Sequence, residues 1–132
     1  MAVNPMTNER LGEIIREHAD TVHQDEASYW QFDYFGFQLI AVTDSSSNRM
    51  RIMSPISALD GLDEALLLEC LAANFDRALD ARYATSQGVL WSAFIHTSAE
   101  LNDDQVVAAI NQVARLSATF GTTFTSSDLS FG

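Results

Sequence analysis

From Thr7 to Gln24, Leu11, Ile14, Ile15, His18 and Val22 recur at spacings of three, four and seven, the stripe of an amphipathic helix that buries one face. Thr7 is its candidate cap. Glu9, Glu13 and Glu17 line the polar side, the first two where carboxylates favour the helix dipole. At Tyr29 the period drops to two, with Trp30, Phe32 and Tyr34 on one face of a strand and Gln31 and Asp33 on the other. Gly36 permits a tight turn, after which Phe37 to Thr43 reads as a second strand, apolar on both faces. Asp44 to Asn48, with three consecutive serines, predicts a turn. A third strand follows from Arg49 to Ser54, and Pro55 is expected to stop it. Short connections make these three strands neighbours in an antiparallel meander.

A second helix is predicted from Asp60 and Asp63 to about Leu79, with Asp60 as cap and Gly61 just inside. Ala81 to Thr85 and Val89 to Thr97 read as a hairpin closed by Ser86-Gln87-Gly88. Asn102 and Gln105 form a capping-box pattern ahead of a third amphipathic stripe, Val106, Val107, Ile110, Val113 and Ala114, and Gly121 stands where a helix-ending glycine belongs. Residues 122–132 hold six serines and threonines with Phe124, Leu129 and Phe131, and are either a frayed tail or a docked segment. The order α-β-β-β-α-β-β-α predicts an α+β domain with an antiparallel sheet.

The second helix is apolar on two sides. Leu68, Leu71, Phe75, Ala78 and Leu79 share one face, which can cover the sheet; Leu62, Leu66, Cys70 and Ala73 share another. A small domain has little left to cover both, so the stripe Leu62, Leu66, Cys70 and Ala73 is expected to meet its symmetry mate in a homodimer. Cover by another helix of the same subunit is the alternative.

The length of 132 residues suits one domain with one core. With 47% apolar and 19% charged residues, the chain is expected to fold. No apolar run approaches the roughly 18 residues of a membrane span, and the first ten residues lack the layout of a signal peptide. A single cysteine permits no internal disulfide, so a cytoplasmic location is expected. The net charge is −11, and all seven basic residues are arginine. The absence of lysine excludes Schiff-base chemistry, a lysine base and a phosphate loop ending in Gly-Lys-Ser/Thr. The acidic field opposes nucleic acid as a partner.

Candidate chemistry is sparse. His18 and His23 are five residues apart, which is not the helical i, i+4 spacing of metal ligands, and His18 reads as a histidine at the edge of the core. Cys70 among leucines reads as an inert packing thiol. No cofactor or metal is expected. His96, at a strand end near Glu100, could work with a carboxylate in a sheet-lined cleft of a small enzyme or ligand-binding domain. Arg49 and Arg51 share a strand face and could receive an acidic segment of a partner, or pair with the protein's own carboxylates such as Asp33. Tyr29 and Phe35 alternate away from Trp30 and Phe32, so they are candidate contacts for a protein or peptide partner.

The element order, with Tyr34-Phe35-Gly36-Phe37, Arg49-Met50-Arg51-Ile52-Met53-Ser54-Pro55, Ala72-Ala73-Asn74-Phe75-Asp76 and Leu90-Trp91-Ser92-Ala93-Phe94, resembles the bacterial YbjN-like family over about residues 7–120. That family carries the label of sensory transduction regulator and shares its fold with class I type III secretion chaperones. The resemblance implies a small acidic cytoplasmic domain, paired as a dimer through the second helix and nearby strands. Its chaperone relatives hold an extended segment of a secreted protein along apolar patches. The function expected is therefore a non-enzymatic protein-binding module, chaperone-like or regulatory.

Overall fold

A computed structural model of the chain describes residues 5–126. Helix α1 (Asn8–His18) leads into strands β1 (Thr21–Glu26), β2 (Tyr29–Tyr34), β3 (Phe37–Asp44) and β4 (Arg49–Ala58). Helix α2 (Glu64–Asp76) connects them to β5 (Arg82–Ser86), β6 (Val89–Thr97) and helix α3 (Asp103–Thr119). The strands make one antiparallel sheet in the order β1-β2-β3-β4-β6-β5. The hairpin that returns from β5 places β6 beside β4 and leaves β5 at the edge.

The predicted α+β order is present with one further strand. Helix α1 stops at His18 instead of running to Gln24, and β1 follows, with Val22 opposite Phe32. Five of the six residues of β1 are exposed and Val22 alone is half-buried, so no two-residue apolar period announces this edge strand. His18 is exposed in the last turn of α1, where a cation suits the helix dipole, and is not at the edge of the core.

Pro55 does not stop the third predicted strand. β4 pairs with β3 only as far as Met53 but continues beside β6 to Ala58, with a register shift after Pro55. Past Met53 one side of β4 has no strand neighbour, so the missing N–H of Pro55 removes no ladder bond there. Asp63, not Asp60, caps α2 by accepting the Ala65 N–H, and Gly61 (φ 82°) lies in the preceding turn. The helix ends at Asp76, three residues short of Leu79, which adopts φ 57°.

The rest follows local chemistry closely. Thr7 accepts the Arg10 N–H, and Asn102 and Gln105 close the capping box of α3. The two-residue turns at Phe35-Gly36 and Gln87-Gly88 have positive φ at each central residue, the backbone that matches strand twist. One sheet face, carrying Trp30, Phe32, Leu39, Ala41, Met50 and Ile52, packs with α1 and α3 into a single core. The C-terminal segment docks as far as it is described: Phe124 is buried and Ser126 bonds to the Arg77 and Ala78 carbonyls. Leu129 and Phe131 lie outside the described residues.

Candidate functional site

Helix α2 is hydrogen-bonded to the edge strand through one side chain, Asn74. The Asn74 carboxamide accepts the Tyr83 N–H at 2.8 Å and donates to the Tyr83 carbonyl at 3.0 Å. It thereby occupies the main-chain groups of β5 that face away from β6 and blunts one edge of the sheet. The Tyr83 hydroxyl donates to the Leu116 carbonyl at 2.8 Å, which fixes β5 to α3.

This attachment sets the rotation of α2. Cys70 and Ala73 are buried and Leu62 and Leu66 pack against the core, so the stripe expected at a dimer contact faces the chain's own interior. The outward stripe is Leu68, Leu71 and Phe75, exposed at 58, 64 and 94%. The assignment of the two faces is thus reversed. Small side chains, Cys70 and Ala73, sit where the helix approaches the core most closely, whereas Phe75 would hold the helix off. Burial pushes the Cys70 thiol up to about 11, so it is not a poised nucleophile.

The sheet face turned away from the helices forms the second apolar surface. One cross-strand row runs Tyr29, Val42, Arg51, Ile95, and the next runs Gln31, Ile40, Met53, Ala93, Arg82. Tyr29 is half-buried in its row, while Ile95 is 58% exposed. Val42, Asp44, Arg49, Arg51, Met53 and Ile95 border a groove of ≈ 460 Å³. Among the described residues Arg49 donates only to the carbonyls of Ser47 and Asn48. Arg51 makes no hydrogen bond or ion pair among the described residues.

Pairing of these arginines with Asp33 is not what the structure contains. Asp33 sits at the far end of β2 and accepts the Thr21 hydroxyl at 2.6 Å. Asp44, opposite Arg49 on β3, is held instead by the Ser46 hydroxyl at 2.6 Å, and the Ser46 and Ser47 hydroxyls keep its carboxyl below the usual range. Phe35 lies apart from the groove at the β2–β3 turn, 77% exposed and edge-on to Tyr34.

The histidines do not assemble into a catalytic set among the described residues. His96 Nδ1 lies 2.9 Å from the Thr97 carbonyl, and the ring stacks on Phe94 at 5.6 Å. Asn48 donates to the Glu100 carboxylate at 3.2 Å, and bonds from Thr97 first and Asn48 second hold that carboxyl below its usual range. The cleft beside His96, ≈ 260 Å³, is lined by Asp80, Arg82, Phe94, Leu101 and Gln105 among others. His23 Nε2 pairs with Asp25 at 3.0 Å on the exposed edge strand. No three His, Cys, Asp or Glu side chains among the described residues are grouped to hold a metal ion, and no described helix is long and apolar enough to cross a membrane.

Sequence reasoning missed Leu68, Leu71 and Phe75 as an outward stripe, and Val42, Met53 and Ile95 as the walls around Arg51. The available signals were residue size on α2 and the second face of a strand apolar on both sides.

No family model matches the chain, and no curated protein sequence matches it significantly. Solved structures do match in fold. A chain of the HopA1–SchA chaperone–effector complex superposes with a TM-score of 0.64 at 10% identity, over 83% of this chain and 88% of that one. A chain of the ExsC–ExsE complex gives 0.62 at 14%, over 83% and 86%. A chain of the ExoU–SpcU heterodimer from the type III secretion system of Pseudomonas aeruginosa gives 0.59 at 13%, over 75% and 88%. The chain therefore has a type III secretion chaperone-like α+β fold.

Proposed function

We propose that this protein is a non-enzymatic binding module, chaperone-like or regulatory, which holds a partner polypeptide on apolar surface and pairs with a second copy of itself through the outer face of α2. The observation that carries the reading is the stripe Leu68, Leu71 and Phe75, three large apolar side chains left in water on one helix. Burying a side chain of that size contributes roughly 1.5–3 kcal/mol, so an isologous contact of two such stripes has a substantial driving force. The second apolar surface, around Tyr29, Val42 and Ile95, stays free for a polypeptide in such a pair, and Phe35 adds an exposed aromatic at a hairpin tip.

The fold supports this reading, since two of the similar chains come from complexes described as chaperone–effector or as part of type III secretion. The YbjN-like relationship is the finer form of the same proposal, and the residues from Tyr34 to Phe37 and from Ala72 to Asp76 support it. The buried Cys70 thiol and the main-chain contact of His96 favour binding over covalent chemistry. Sedimentation equilibrium at micromolar concentration, with purification from the native host, tests the proposal. A dimer with a retained polypeptide is expected. A compact monomer, or a small metabolite as sole companion, would overturn it.

A further inference from the structure

The outer sheet face concentrates arginine in a strongly acidic molecule. The chain carries −11 overall, yet three of its seven arginines, Arg49, Arg51 and Arg82, stand on the six strands, against Asp25, Glu26, Asp33 and Asp44. Two of these arginines lie in the apolar groove. Arg51 stands between Val42 and Ile95 in its row, and Arg49 stands two residues before it on the same face. In a chain with 18 carboxylates, neither forms an ion pair among the described residues. Arg82 is already engaged by the Leu79 and Ala81 carbonyls. The groove thus offers the Arg51 guanidinium, which has no partner among the described residues, and the Arg49 guanidinium, which donates to the Ser47 and Asn48 carbonyls through one nitrogen but to no carboxylate, beside exposed apolar walls; a guanidinium is suited to bidentate carboxylate recognition.

Resting on the protein-binding reading above, we infer that the occupant of this groove is an extended acidic segment of a protein partner, with carboxylates two residues apart followed by large apolar side chains. Side chains on one face of an extended chain recur about every 6.8 Å, the spacing that separates Arg49 from Arg51 along β4. A segment aligned with β4 sets successive carboxylates over the two arginines and its next facing residue over Met53. Covering the groove removes water from the ion pairs and strengthens them. The molecule's overall negative charge opposes this approach only weakly, because carboxylates more than about 8 Å from the groove are screened at physiological salt.

The test uses three labelled eight-residue peptides with serine at alternate positions. The intervening positions read glutamate, glutamate, leucine, leucine in the first, lysine replaces glutamate in the second, and serine replaces it in the third. Fluorescence anisotropy with the full chain should rank the glutamate peptide about tenfold tighter than the serine peptide, with the lysine peptide weakest. The double variant R49Q/R51Q should lose that ranking, whereas R16E, which changes net charge equally, should keep it. Circular dichroism checks that both variants fold. Binding of the leucine-containing peptides without regard to charge, or a ranking unchanged in R49Q/R51Q, overturns the acidic occupant and leaves the protein-binding reading standing. Failure of all three peptides to bind overturns the groove assignment, and a dimer with a retained polypeptide would still separate that result from failure of the general reading.

Discussion

Asn74 serves Tyr83 as a neighbouring strand would, accepting its N–H at 2.8 Å and donating to its carbonyl at 3.0 Å. Both main-chain groups belong to an edge strand, so Asn74→Ala leaves two partly buried polar groups unpaired, at a cost of about 1–3 kcal/mol. Urea denaturation measures it. Asn74→Asp keeps the acceptor and loses the donor, so it should be as destabilising at neutral pH and recover in part when the carboxyl is protonated. Equal stability of Asn74→Ala and wild type would show that α2 is held by apolar contact alone.

The two sides of α2 make opposite predictions. Leu71→Glu and Phe75→Glu alter exposed positions and should change the stability of the monomer by no more than about 0.5 kcal/mol, while shifting sedimentation from dimer to monomer. Ala73→Leu overfills a site with no exposed surface and should cost about 1–3 kcal/mol. A stable Ala73→Leu variant would reverse the orientation of the helix.

Phe35 is a bulky residue at φ 50°, beside Gly36 at φ 83°. Asparagine tolerates that backbone well, so Phe35→Asn should stabilise the fold by about 1 kcal/mol in thermal or chemical denaturation. If Phe35 contacts the partner polypeptide, the same variant will bind it more weakly. A destabilised Phe35→Asn would mean that the edge contact with Tyr34 outweighs the backbone strain.

Alkaline stability should be limited by the interior. Burial pushes the Cys70 thiol up from 9.0 to about 11, and burial also pushes the Tyr83 hydroxyl well above its ordinary value. Each group ionises more readily in the unfolded chain, so its contribution to stability is whole below the unfolded value and fades as pH rises through the folded one. Denaturation curves from pH 8 to 11 should show stability falling from about pH 9, less steeply in Cys70→Ala. Thiol reagents at pH 8 should modify Cys70 only after unfolding.

Arg10 bridges α1 to the start of α3 through Asp103, at 2.7 Å. The hydrogen bond from Arg10 holds the Asp103 carboxyl below its usual range, so this pair contributes above the ordinary aspartate range and is lost as pH falls. In Arg10→Ala the Asp103 titration, followed by NMR, should move up toward the normal value. An unmoved titration would assign the shift to the helix terminus instead.

Much of the molecule was legible one residue at a time. Alternation at Trp30, Phe32 and Tyr34, glycine at 36 and 88, and the capping pair Asn102 and Gln105 are local instructions, and each is obeyed because its physics involves only a few neighbouring residues. Strand β1 was not legible, because an exposed edge strand with a single half-buried valine has no apolar period. The continuation of β4 through Pro55 depends on how far β3 reaches, which residues near Pro55 do not encode. Helix α2 shows the boundary most clearly. Its composition establishes that two faces are apolar, but which face turns inward depends on the depth available over the core and on the bond from Asn74 to β5. The exposure of Arg51 without a carboxylate is likewise a product of register, since a shift of the cross-strand pairing would have changed its neighbours. Sequence determined every element but β1 and the surplus of apolar surface; tertiary structure decided how far β4 runs and where that surplus meets water, because contact between elements selects one rotation and one register from several that local preference allows.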